Sequence, residues 1–90
     1  PGRETLFALY QNQPNPFDGE TMIGFNLPEA AQATLTITDV DGKLLRIVRL
    51  DGVQGYNAVV ISRNDLPAGV LRYTLQAGEH IATRQMILVE

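Results

Sequence analysis

Ninety residues, 44% apolar and 19% charged, with a formal net charge of -3, suffice for one soluble domain with a single modest core. Seven basic residues spread along an acidic chain form no cationic footprint for a phosphate backbone, which speaks against nucleic-acid binding. The absence of cysteine removes disulfides, thiolate metal sites and nucleophilic thiols, and no apolar run approaches the roughly 20 residues that span a bilayer, so direct membrane insertion is set aside too.

In chain order, the opening PGRE reads as the end of a linker in a longer polypeptide, which assigns residues 1–5 to that connection and residues 6–90 to the domain itself. LFALY is a first apolar run with strand character. QNQPNPFDG (Gln11 to Gly19) follows, and there Pro14 and Pro16 forbid a regular helix and lack backbone donors, so the connection is stiff and non-helical. TMIGFNL alternates Met22 and Gly24 against Ile23, Phe25 and Leu27, as a half-buried strand does. After the interruption at Pro28, ATLTITD sets Ala33, Leu35 and Ile37 against Thr34, Thr36 and Thr38, the clearest strand in the sequence.

Asp41-Gly42 supplies the dihedrals of a tight hairpin before KLLRIVRL, which a second Asp-Gly pair, Asp51-Gly52, is expected to end. Leu44, Leu45 and Val48 would also fit one face of a short helix, but the bounding turns favour a strand. YNAVVIS is another strand, RNDLPAG a turn-rich connection, and VLRYTLQ and IATRQMILV flank AGEH as a terminal hairpin. The predicted fold is all-β: an immunoglobulin-like antiparallel β-sandwich of about seven strands.

Chemistry finds little to work with. His80 falls in the predicted turn and Ser62 at a strand end, with no acyl-transfer motif around it. Asp39, Asp41, Asp51 and Asp65 offer oxygen ligands for a hard cation, but DVDG continues into Lys43 where a further ligand is needed, and turn formation accounts for the aspartates. LPAG (Leu66 to Gly69) lacks the threonine of a sortase recognition peptide and reads as a turn that launches a strand. Among Phe7, Tyr10, Phe17, Phe25, Tyr56 and Tyr73, alternation with other apolar residues assigns most to the core. No enzyme, metal or cofactor is indicated.

Taken together, LYQNQPNPF, TMIGFNLPEAAQATLTITDVDGKLL, LPAGVLRYTLQAG and ATRQMILVE resemble, in order and spacing over nearly the whole chain, the type A C-terminal sorting domain of proteins exported by the type IX secretion system. The resemblance implies a folded secretion address on a larger cargo, needing no cofactor, read in the periplasm and passed through the outer-membrane translocon to the surface or outside. It further implies removal by a sortase-like peptidase, with attachment of the cargo to surface lipopolysaccharide. Its signature falls on Pro14, Asn15, Pro16 and Phe17, on Gly69 and Val70, and on Arg84. Leu71 stands where an aromatic is frequent, with Tyr73 two places on, and Arg84 stands where lysine is more usual.

Physical reasoning adds that proline-fixed dihedrals suit a surface recognised as a rigid object, and that a last strand at a sheet edge offers unpaired backbone to a partner. The expected recognition face is therefore the Ile81 to Val89 strand with the adjoining Pro14 to Phe17 loop. Dimerisation through edge strands is also open to such a domain. A plainer account has Pro14 and Pro16 ending an edge strand, Gly69 meeting a backbone requirement and Arg84 solvated. The alternative function is a structural or carbohydrate-associated accessory sandwich of an extracellular enzyme.

Overall fold

Period-two alternation is realised as seven strands, and no helix, in the structure, a computed structural model that describes residues 6–90. The expected linker at residues 1–5 lies outside the described residues. The strands are β1 (Ala8–Leu9), β2 (Glu20–Leu27), β3 (Ala31–Asp39), β4 (Leu44–Gly52), β5 (Gly55–Ser62), β6 (Gly69–Ala77) and β7 (His80–Leu88). All strand pairs are antiparallel and form two sheets, β1-β2-β5 and β4-β3-β6-β7. The chain changes sheet after β2, β4 and β5, the strand exchange of an immunoglobulin-like sandwich with its fourth strand beside the third.

The inward faces are those that alternation marks. Ile23, Phe25 and Leu27 of β2 face Ala33, Leu35 and Ile37 of β3 across the core, with Leu71, Tyr73 and Leu75 of β6 beside them, all buried. Threonines take the opposite parity of β3, and Thr74 and Thr83 share a 2.8 Å hydroxyl contact on that outer face. The outside of this antiparallel sheet is mixed, with Ile47, Val70, Ile81 and Ile87 exposed among the polar side chains, because only one face has a core to cover.

The turns follow their local chemistry. Asp39 accepts hydrogen bonds at Oδ1 from the N–H groups of Asp41 and Lys43, each 2.9 Å, and Gly42 takes φ 88°. That carboxylate is thus committed to the β3–β4 hairpin. Gly78 at φ 62° is the first central residue of the two-residue β6–β7 turn, the position where type II′ hairpins place glycine.

Three boundaries differ from expectation. β4 runs on through Asp51-Gly52 instead of turning there: both residues are paired, with Gln32 and Ala31, and Gly52 is buried where a side chain would meet Leu27 and lie 3.0 Å from the Ala31 carbonyl. The corner falls at Val53 and Gln54, and Asn57 closes it by accepting from the Val53 N–H and donating to the Val53 and Gly55 carbonyls. His80 begins β7 opposite Ala77 and stacks on Phe7 with ring centroids 4.9 Å apart. The first apolar run shortens to a two-residue strand plus a bridge between Gln13 and Met22: between them the register slips by one residue and the Asn12 N–H turns to the Tyr73 hydroxyl, and Pro14 ends the pairing beyond.

Candidate functional site

Pro14 to Phe17 is fastened at both of its ends. Both prolines follow cis peptide bonds, and Pro14, Asn15 and Pro16 are exposed. Phe17, by contrast, is 2% exposed and plugs the core beside Leu88. Its N–H donates to the Ile87 carbonyl at 3.0 Å, and its own carbonyl accepts from the Val89 N–H at 2.9 Å. Asn15 Oδ1 accepts from the Ile87 N–H at 2.9 Å. The loop is therefore a short parallel addition to the outer edge of β7.

Residues just upstream extend that covering. The Gln11 amide donates to the Gln85 carbonyl at 2.6 Å, and Arg84 Nε donates to the Leu9 carbonyl at 2.6 Å. Arg84 occupies the core-facing parity of β7, with Met86 and Leu88, and its guanidinium spans the gap between the two sheets. The sequence expectation of an open terminal edge is corrected accordingly: along its second half, the outward backbone of β7 is held by the chain's own residues 11–17. Satisfying these groups internally removes a template for non-specific pairing.

Beneath the loop lies a buried polar network that sequence reading missed. Asn12, 1% exposed, donates its amide to the Pro14 carbonyl at 3.1 Å and to Thr21 Oγ1 at 2.9 Å, while Thr21 Oγ1 donates to the same carbonyl at 2.9 Å. Tyr73 crosses from the other sheet: its hydroxyl accepts from the Asn12 N–H at 2.9 Å and donates to the Tyr10 carbonyl at 2.8 Å. No buried side-chain polar atom among the described residues lacks a partner. A network so completed fixes the path of the chain into the proline loop.

Burial pushes the Tyr73 phenol above its ordinary value of 10.0, against the opposing pull of the Asn12 hydrogen bond and the Arg84 charge. The folded state then holds this proton more tightly than the unfolded chain, so its contribution is intact below about pH 10 and is lost as pH rises from there through the folded value. Tyr73→Phe should flatten that alkaline decline in urea midpoints, and should itself cost about 1–3 kcal/mol at neutral pH by orphaning the Asn12 N–H and the Tyr10 carbonyl.

The remaining sequence candidates are placed separately. Gly69 opens β6 at φ 125°, a backbone region that side chains rarely adopt, although a side chain there would meet nothing within 4 Å. Val70 is 39% exposed and pairs with Ile87, next to the loop. Leu66 of LPAG is buried, and its N–H closes a turn on the Arg63 carbonyl at 2.8 Å. Ser62 lies at one end of β5 and His80 near the other, separated by on the order of 20 Å of strand. They share no catalytic geometry. Of the aromatics, Phe17, Phe25 and Tyr73 are core, Phe7 is half-buried, and Tyr10 and Tyr56 are exposed. The last two rings, 6.2 Å apart and tilted by 33°, flank a hollow of about 440 Å³.

Among known proteins, a family model described as secretion system C-terminal sorting domain matches residues 12–90. No curated protein matches the chain. The matched span begins at Asn12, the buried amide behind the proline loop, and runs through both halves of the Phe17–β7 junction. The chain therefore belongs to the secretion system C-terminal sorting domain family.

Proposed function

We propose that the type IX secretion machinery reads this domain as one folded object, at a face made of Pro14–Phe17 and β7. Family membership makes the domain a sorting signal for type IX secretion, a signal domain and not a catalytic one, with export to the cell surface or outside as its outcome. The observation that carries the finer reading is the bond from the Ile87 N–H to Asn15, which joins residues 72 positions apart in one exposed surface. In this reading Pro14, Asn15, Pro16 and Val70 supply contacts, while Phe17, Gly69 and Arg84 hold the surface in shape. An upstream cargo domain, transit through the periplasm, and removal by a sortase-like peptidase complete the proposed route. The tilt between Tyr10 and Tyr56 denies a sugar ring one flat platform, which weighs against the carbohydrate-associated alternative.

The test is to fuse Pro1–Glu90 to a periplasmic reporter and compare export with a translocon-deficient strain. Surface delivery only where the translocon is present is the expected result, and equal retention in both strains overturns the function. Asn15→Ala then separates contact from shape. Ile87 is 40% exposed, so water replaces the lost acceptor and the thermal midpoint stays within about 2 °C. Export should nevertheless fall. Undiminished export removes Asn15 from the recognised face.

A further inference from the structure

Two open sheets leave four strand edges, at β1, β5, β4 and β7. Three of them are protected. β1 is two residues long, β7 is covered along its second half by residues 11–17, and β4 carries Arg46, Arg49 and Asp51 and pairs through an irregularity at Ile37/Thr38. β5 is covered only at its last residue, where Arg46 reaches the Ser62 carbonyl. Its eight residues, GYNAVVIS, include no charge and no proline, and its single glycine is at the first position. An uncharged, β-branched edge of that length is a template for another strand.

The pairing of β2 shows which groups of β5 are open. Met22 exchanges both backbone bonds with Gln13, and the Gly24 carbonyl accepts from the Tyr10 N–H, so these two residues point toward β1. Ile23 and Phe25 must then bond β5, at their partners Val59 and Asn57. It follows that Tyr56, Ala58 and Val60 direct their N–H and C=O groups away from β2, along the free edge. The next carbonyl in that row, Ser62, is already occupied by Arg46 Nη1 at 2.8 Å, which bounds the open stretch. Tyr56 and Val60 are 59% and 58% exposed.

We infer that β5 is a self-association edge: two copies of the chain pair antiparallel about a two-fold axis through Ala58, merging two three-stranded sheets into one of six strands. In this register Ala58 faces Ala58, and Tyr56 of each copy faces Val60 of the other. All three pairs are of the hydrogen-bonded type, each exchanging both backbone bonds. The Tyr56 ring lies over Gly24 toward Tyr10 of its own sheet, so the contact across the axis rests on the backbone bonds and on the β-branched Val60. None of the three residues that pair is charged, so no charge is buried against its own copy. The arrangement is isologous and closes on itself, leaving no further β5 edge to propagate a fibre. An interface this narrow lies at the small end of the specific range, and the dimer is accordingly reversible and concentration-dependent.

Sedimentation equilibrium of the chain from about 10 μM to about 1 mM reads the association directly. The wild type should pass from one chain to two across that range. Ala58 is exposed, so Ala58→Lys and Ala58→Glu keep the fold, which far-UV circular dichroism verifies. Each places like charges directly opposite on the axis and should weaken self-association at least about tenfold. Mixed in equal amounts, the two variants should associate with each other. A wild type that stays monomeric throughout, or an Ala58→Lys variant that dimerises as the wild type does, overturns the inference. A monomeric wild type whose export is nonetheless lost on Ala58→Lys assigns the edge to a strand of another protein, and overturns self-pairing equally.

Discussion

Phe17→Ala should lower the stability of the domain by about 3–5 kcal/mol, measured as a shift of the urea midpoint at unchanged slope. The ring is 2% exposed and stands between the sheets beside Leu88, so its loss leaves a cavity that the clamped backbone on either side cannot collapse to fill. Domains of this size hold only about 5–15 kcal/mol in total. A large fraction of the variant is then unfolded under mild stress. Export should fall with it, through lost shape, whereas Asn15→Ala loses export with its melting point retained. A shift below about 1 kcal/mol would contradict the packing described for Phe17.

Removal of residues 81–90 has the larger effect: the shortened chain should show no cooperative thermal transition in scanning calorimetry. β7 supplies Met86 and Leu88, which are 0% and 1% exposed, and the partners of Phe17. Burial of each such side chain contributes about 1.5–3 kcal/mol, and the exposed flank of β6 loses its whole ladder besides. Together these losses are comparable with the stability of the entire domain. An export defect on this deletion consequently reports a missing fold, and cannot by itself identify β7 as a contacted peptide. A shortened chain that still melts cooperatively would show that β7 is an appendage.

Much of this architecture was legible because alternation is a local property. Ala33, Leu35 and Ile37 against three threonines fix a strand and its buried face within seven residues, and Asp41-Gly42 fixes the turn that follows. Where the reading failed, the deciding contact was distant in sequence. Asp51-Gly52 looks like a turn until Leu27 and Ala31 are seen pressing on Gly52. Asn12 resembles any loop amide until Tyr73, 61 positions away, binds its N–H. One signal was available: Thr21 shares the parity of Ile23, Phe25 and Leu27, which places a hydroxyl on a core-facing row where it needs a partner. At the candidate site, the resemblance picked out Pro14 to Phe17, but alternation had no means of showing that Phe17 is core while its three predecessors are exposed.

The fastening of Phe17 to Ile87 and Val89 has a bearing on synthesis as well as on shape. β7 is the last strand in chain order, so the proline loop emerges early and waits for nearly the whole domain before its partners exist. A polypeptide interrupted anywhere before Ile87 has the loop and lacks the groups that fasten it. The conformation of the loop is therefore settled only once β7 has been made, and folding of the whole domain waits on its last strand.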